Sequence, residues 1–114
     1  RRDYCAMKLP YREELDQPMG IVHGGAIATL IDVVVVPAIG SAYPSSTGFS
    51  TVDLHIQYLS ALRAHDAIAQ GWVVKRGRRI VFCQAEVRSA ETQRLIATGS
   101  LTYSVEESST TAGT

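Results

Sequence analysis

Asp32 stands inside the apolar run from Ala26 to Val36, nine residues after His23 and eight after Gly24. A carboxylate among apolar neighbours is costly unless it is paired or hydrogen-bonded. Two readings follow. Asp32 is a structural residue bonded to nearby backbone or threonine side chains, or it is a base or nucleophile whose setting tunes it. Upstream, Gly20-Ile21-Val22-His23-Gly24-Gly25 ends in a glycine pair, which lets backbone approach a ligand closely. A helix that starts there offers unpaired amides at the positive end of its dipole, a site for a developing oxyanion. On one helix, however, His23 and Asp32 would lie roughly 13 Å apart and about 180° round the axis. Gly24 is only slightly better placed. One copy cannot bring its helix tip and its carboxylate to the same small substrate; two copies of the chain can.

The elements that must hold these residues are legible in outline. Tyr4 to Tyr11 reads as an edge strand, and Pro10 suits an edge because it cannot donate to a ladder. Arg12 to Pro18 is a polar connection, and Gln17 within it reads either as a solvent-exposed loop residue or as a site residue. A helix is expected from about His23 to Ile39. With Val33 to Val36 being poor helix formers and Pro37 unable to bond Val33, a kink or early stop is expected there. Being apolar all round, the helix should be buried, with Asp32 in a low-dielectric place. Gly40 to Gly48 is loop. Thr51 to Leu59 alternates, placing Val52, Leu54, Ile56 and Tyr58 on one face and Thr51, Asp53, His55 and Gln57 on the other. Ala67–Lys75 and Arg79–Arg88 flank a turn at Gly77, and Gln93–Val105 follows a second turn. The order is strand, long helix, then four strands in a meander. One antiparallel sheet wrapped around one helix, an α+β arrangement, buries such a helix. Joining two sheets side by side would cover an open edge.

The pattern G-x-x-H-G-G-x-x-x-x-L-x-D from Gly20 to Asp32 resembles the hotdog-fold thioesterases, most closely the phenylacetate-pathway type of acyl-CoA thioesterase. Ser50 to Leu59 is similar to that family's second strand, and Lys75-Arg76-Gly77-Arg78-Arg79 looks like its basic turn. The resemblance runs from about Leu9 to Val105. It implies hydrolysis of an acyl-CoA or aryl-CoA thioester in a homodimer with shared sites, with such dimers pairing further. Coenzyme A would be part of the substrate, and no separate cofactor is implied. Asp32 would activate water or attack the carbonyl itself, the Gly24 amide would bind the oxyanion, and His23 would shape the loop or only cap the helix. Gln17 stands where the family often has Asn to orient water or thioester, and Gly25, next to Gly24, would let the backbone approach the substrate. Ser50 or Thr51 would bring a hydroxyl near the water, Thr51 being preferred. Arg76, Arg78 and Arg79, with Lys75, would meet phosphates or form a solvated hairpin tip. Where the family often follows Leu59 with Arg-Pro, this chain has Ser60-Ala61, leaving Arg63 as the nearest substitute. A non-catalytic acyl-CoA-binding hotdog protein is the alternative. A hotdog hydratase ranks last, because its Asp and His lie a few residues apart.

Composition agrees. The 114 residues make one domain, expected over 1–105, with 106–114 a polar tail expected to be disordered. Acidic and basic residues number 11 each and intersperse, which argues against a nucleic-acid surface. No span suits a membrane. Cys5 and Cys83 are expected as buried free thiols in a reducing cytoplasm. Because the chain opens on Arg1, a native start upstream is expected.

Overall fold

A computed structural model describes residues 2–44 and 47–106; the tail after Glu106 lies outside the described residues. The elements are β1 (Tyr4–Leu9), α1 (Gly24–Gly40), β2 (Gly48–Tyr58), β3 (Ala67–Arg76), β4 (Ile80–Ser89) and β5 (Leu95–Glu106), with one helical turn at Glu13–Leu15. All strand pairs are antiparallel, in the order β1-β3-β4-β5-β2, and α1 packs on one face. This is the hotdog arrangement of one sheet curved about one helix. The four-strand meander is corrected, however. Only β3, β4 and β5 run as a meander, and β2 lies on the far edge beside β5. Residues 59–66, which join β2 to β3, are too long and varied for a tight hairpin turn. Leu62 in that connection is buried, and its carbonyl accepts the amide of Val22 at 2.8 Å.

The expected early stop in α1 does not occur. The helix continues through Pro37 to Gly40. Val34 and Val35 are fully buried against the sheet, and that burial outweighs the weak propensity of branched residues. Pro37 falls in the last turns, where few bonds remain to lose. Beyond it, the carbonyls of Ala38 and Ile39 accept from the guanidinium of Arg76 at 3.2 and 3.1 Å.

Nor is α1 buried all round. Ile27, Leu30, Ile31, Val34, Val35, Ala38 and Ile39 face the sheet, while Gly25, Thr29, Val33 and Pro37 form an exposed stripe at helical spacing. The sheet of one chain therefore covers part of the helix only. Close approach on the covered side depends on glycine. A Cβ on Gly99 would lie 2.7 Å from Cγ2 of Ile31, and one on Gly71 would lie 2.9 Å from Val35. Ile31 is branched and fully buried, so that methyl has nowhere to swing. Gly99→Ala is expected to lower unfolding free energy by about 1–3 kcal/mol, read as a drop in urea midpoint at unchanged slope.

Both cysteines are free, Cys83 buried and Cys5 half-buried. Among the described residues no helix is long and apolar enough to cross a membrane.

Candidate active site

The helix tip is built by His23, Gly24 and Gly25. His23 is the N-cap, and its Nδ1 accepts the Gly25 amide at 2.9 Å. Capping thus uses the His23 ring nitrogen and the Gly25 amide together. Gly24 is the first helical residue. Its N–H has no partner among the described residues, so it is the free donor of the pair. Tyr58, from the end of β2, donates its hydroxyl to the Gly24 carbonyl at 2.8 Å. Its ring lies 3.3 Å from where a Gly24 Cβ would sit, so a larger residue there would have to push the ring aside by a few tenths of an ångström.

An open cleft of about 360 Å³ adjoins this tip, lined by Gln17, Ile21, Gly24, Ile27, Tyr58 and Leu62 among others. Gln17 belongs to a turn in which its amide bonds the Ile21 carbonyl and its carbonyl accepts from Gly20, whose φ of 77° suits glycine. The side chain of Gln17 has no protein partner among the described residues. Gln17 and Gly24 therefore line one cleft. Arg63, by contrast, is exposed, with a long 3.5 Å contact to the Met19 carbonyl.

Asp32 lies on the rim of the exposed stripe and is half-buried rather than enclosed, which corrects the low-dielectric setting expected for it. Its Oδ1 accepts from Thr51 Oγ1 at 3.0 Å and from the Tyr103 hydroxyl at 2.5 Å. The same Tyr103 hydroxyl lies 2.7 Å from the Asp32 carbonyl oxygen. Oδ2 has no donor among the described residues. Thr51 reaches Asp32 because of a β-bulge. The register of β2 on β5 shifts between Thr51 and Asp53, leaving Val52 as the extra residue. Thr51, paired with Tyr103, thus joins Leu54, Ile56 and Tyr58 on the helix side. Strict alternation had placed Thr51 on the other face and is corrected here. Ser50 pairs with Ser104 and points away from Asp32, as do Asp53, His55 and Gln57.

The basic turn divides. Arg76 is drawn inward: besides the helix carbonyls it bonds Asp3 Oδ1 and lies 5.2 Å from the Tyr43 ring centre. It closes the C-terminal end of α1 and is not a free phosphate ligand, against expectation. A second bulge, between Val73 and Lys75, turns Arg76 to the helix side. Lys75, Arg78 and Arg79 remain exposed, with no side-chain partner among the described residues.

One other cluster carries hydrolase residue types. His65 Nδ1 lies 3.0 Å from Ser89 Oγ, and its Nε2 lies 3.7 Å from Glu91. Ser89 is only 2% exposed, and its Oγ also accepts the amides of Glu91 and Thr92. It caps the turn between β4 and β5 and offers no access to a substrate.

Tyr58 and Tyr103 were absent from the site residues read in the sequence. The signal for Tyr103 was available. It is a phenol on the buried face of β5 among Ala97, Gly99, Leu101 and Val105, and a buried hydroxyl needs a partner.

Comparison with known proteins agrees with this fold. A family model described as "Thioesterase superfamily" matches residues 19–96. Human acyl-coenzyme A thioesterase 13 is 32% identical over 96 residues, covering 83% of this chain and 66% of the relative, so the chain spans just under two thirds of that protein. A thioesterase crystal structure from Haemophilus influenzae superposes with a TM-score of 0.85 at 24% identity, covering 92% of this chain and 73% of that one. A Bacillus halodurans structure with CoA superposes at 0.82, with 23% identity over 86% of this chain and 68% of that one.

Proposed function

The chain belongs to the thioesterase superfamily, and from that premise we propose that it hydrolyses acyl-CoA or aryl-CoA thioesters in crevices shared by two copies of itself. One observation carries the reading. The free Gly24 amide and the free Oδ2 of Asp32 are two halves of one site, yet they lie about 12 Å apart along the axis of a single helix. A thioester carbonyl needs an amide donor and a carboxylate, or its activated water, within about 3 Å of its reacting atoms. A two-fold pair of chains can give each crevice one helix tip and one carboxylate. The open stripe on α1 continues onto β2, an edge strand that exposes Val52, Leu54 and Tyr58. An uncovered edge of that length and apolarity favours pairing with a second copy.

In such a crevice Oδ2 takes a proton from water, and the water oxygen attacks the thioester carbon. The carbonyl oxygen becomes an oxyanion held by the Gly24 N–H. Collapse breaks the C–S bond, and the departing thiolate of coenzyme A takes the proton from Asp32. Direct attack by Oδ2, with water cleaving the resulting anhydride, uses the same free oxygen and the same amide. His23 serves by capping, and Gly25 by filling that cap. Gln17 offers its free amide to the carbonyl or the water. Lys75, Arg78 and Arg79 are the exposed cations available to coenzyme A phosphates.

A panel of aromatic and aliphatic CoA thioesters, followed by free-thiol detection, tests the activity. Release of thiol from at least one of them is the expected result. Binding by calorimetry without release would identify the non-catalytic acyl-CoA binder instead.

A further inference from the structure

We infer that Tyr103 is a positioning residue for Asp32: its hydroxyl ties down Oδ1 and so assigns the reactive role to Oδ2. The inference rests on the hydrolase reading above and extends it to a residue outside the helix-tip motif. Tyr103 is 3% exposed, so it lies behind Asp32 and has no route to substrate. Its hydroxyl has one proton and two acceptors in reach on the same residue, Oδ1 at 2.5 Å and the backbone carbonyl at 2.7 Å. An aspartate side chain tethered at one oxygen while its own carbonyl is engaged by the same phenol has little rotational freedom. Thr51, directly across the β2–β5 ladder from Tyr103, adds a second bond to Oδ1. Two donors converge on one carboxylate oxygen, and the other is left without a donor among the described residues.

The Tyr103 phenol keeps its proton and so stays a donor to Oδ1. Burial pushes the Tyr103 phenol well above its ordinary value, and the bond to Asp32 adds to that. Cys83 on β4 is raised to about 11 by burial. Cys5 lies on β1, Arg76 on β3 is held by Asp3 at the far helix end, and His23 caps the near end. Asp53 and His55 of β2 face the other side of the sheet.

Tyr103→Phe removes the hydroxyl and keeps the ring. With a reactive CoA thioester, kcat is expected to fall roughly 10–100-fold while KM stays within about twofold, since the bond acts on the carboxylate rather than on the substrate. A second variant keeps the test decisive where Phe unfolds the chain. Site-specific difluorotyrosine at 103 retains the hydroxyl and its bond, and should keep most of the parent kcat. A folded Tyr103→Phe with unchanged kcat overturns the inference. So does a fluorinated variant whose kcat falls as far as that of a folded Tyr103→Phe, which would leave Tyr103 a packing residue. Failure of the underlying hydrolase reading is told apart by Asp32→Asn, which in that case would turn over as fast as the parent whatever Tyr103 does.

Discussion

Asp32→Asn is expected to cut thioester turnover by about 10³-fold while leaving the chain folded, the scale of loss typical for a proton-transfer group. Asparagine has nearly the same shape. Its side-chain oxygen can still accept from Thr51 and Tyr103, so the anchoring bonds at Oδ1 survive. What is lost is confined to Oδ2. An amide NH₂ in that place can neither take a proton from water nor attack a carbonyl. Because Asp32 is half-buried at the rim, the substitution leaves no strained or orphaned group in the core. Thermal melts should therefore superpose within a few degrees, and KM should change far less than kcat. Turnover equal to the parent's would remove Asp32 from the chemistry and leave its two hydroxyl partners as a structural latch between helix and sheet.

The reach of sequence reasoning differs from residue to residue for physical reasons. The helix, its capping histidine and the glycine at its first position are local features, set by a dozen consecutive residues, and they stand where the motif implied. Thr51 was preferred over Ser50, and it is Thr51 that meets Asp32. The face on which it was placed was nonetheless wrong. A period of two cannot register an extra residue, and Val52 is that residue. The same limit hid Arg76, which a bulge after Val73 turns onto the helix end. A basic turn reads as solvated because nothing in its own residues tells of Ala38 and Ile39, nearly forty positions away. Strand order failed for a related reason: β2 pairs with β5 across two intervening strands, and no local signal marks a partner that distant.

The helix itself carries a more general lesson. Its all-round apolarity was taken to mean complete burial by one sheet. The fold buries the side bearing Ile31, Val34 and Val35 and leaves Val33 at 45% exposure. Apolarity on the uncovered side is thus a surplus for one chain alone. A second copy lying along the stripe would use it, and Asp32 stands at the rim of that stripe.

Gly24→Pro tests that shared arrangement most directly. Gly24 is the first residue of α1, where proline is well tolerated because that N–H makes no helical bond. His23 precedes it with φ −59° and ψ 135°, a conformation that the residue before proline readily adopts. The Tyr58 ring, 3.3 Å from the added Cβ, is at the exposed end of β2 and can yield. The substitution thus deletes one donor at little cost in fold, and turnover is expected to fall about 10²–10³-fold, the usual loss for one oxyanion donor. Mixing then separates one-chain from two-chain sites. Asp32→Asn chains keep an intact tip, and Gly24→Pro chains keep an intact carboxylate. If each crevice takes one half from each copy, an equimolar mixture allowed to exchange subunits should recover about a quarter of the parent rate, since half of the dimers are mixed and each has one intact crevice of two. A site contained within one chain gives no recovery at any mixing ratio, because neither variant then holds a complete set.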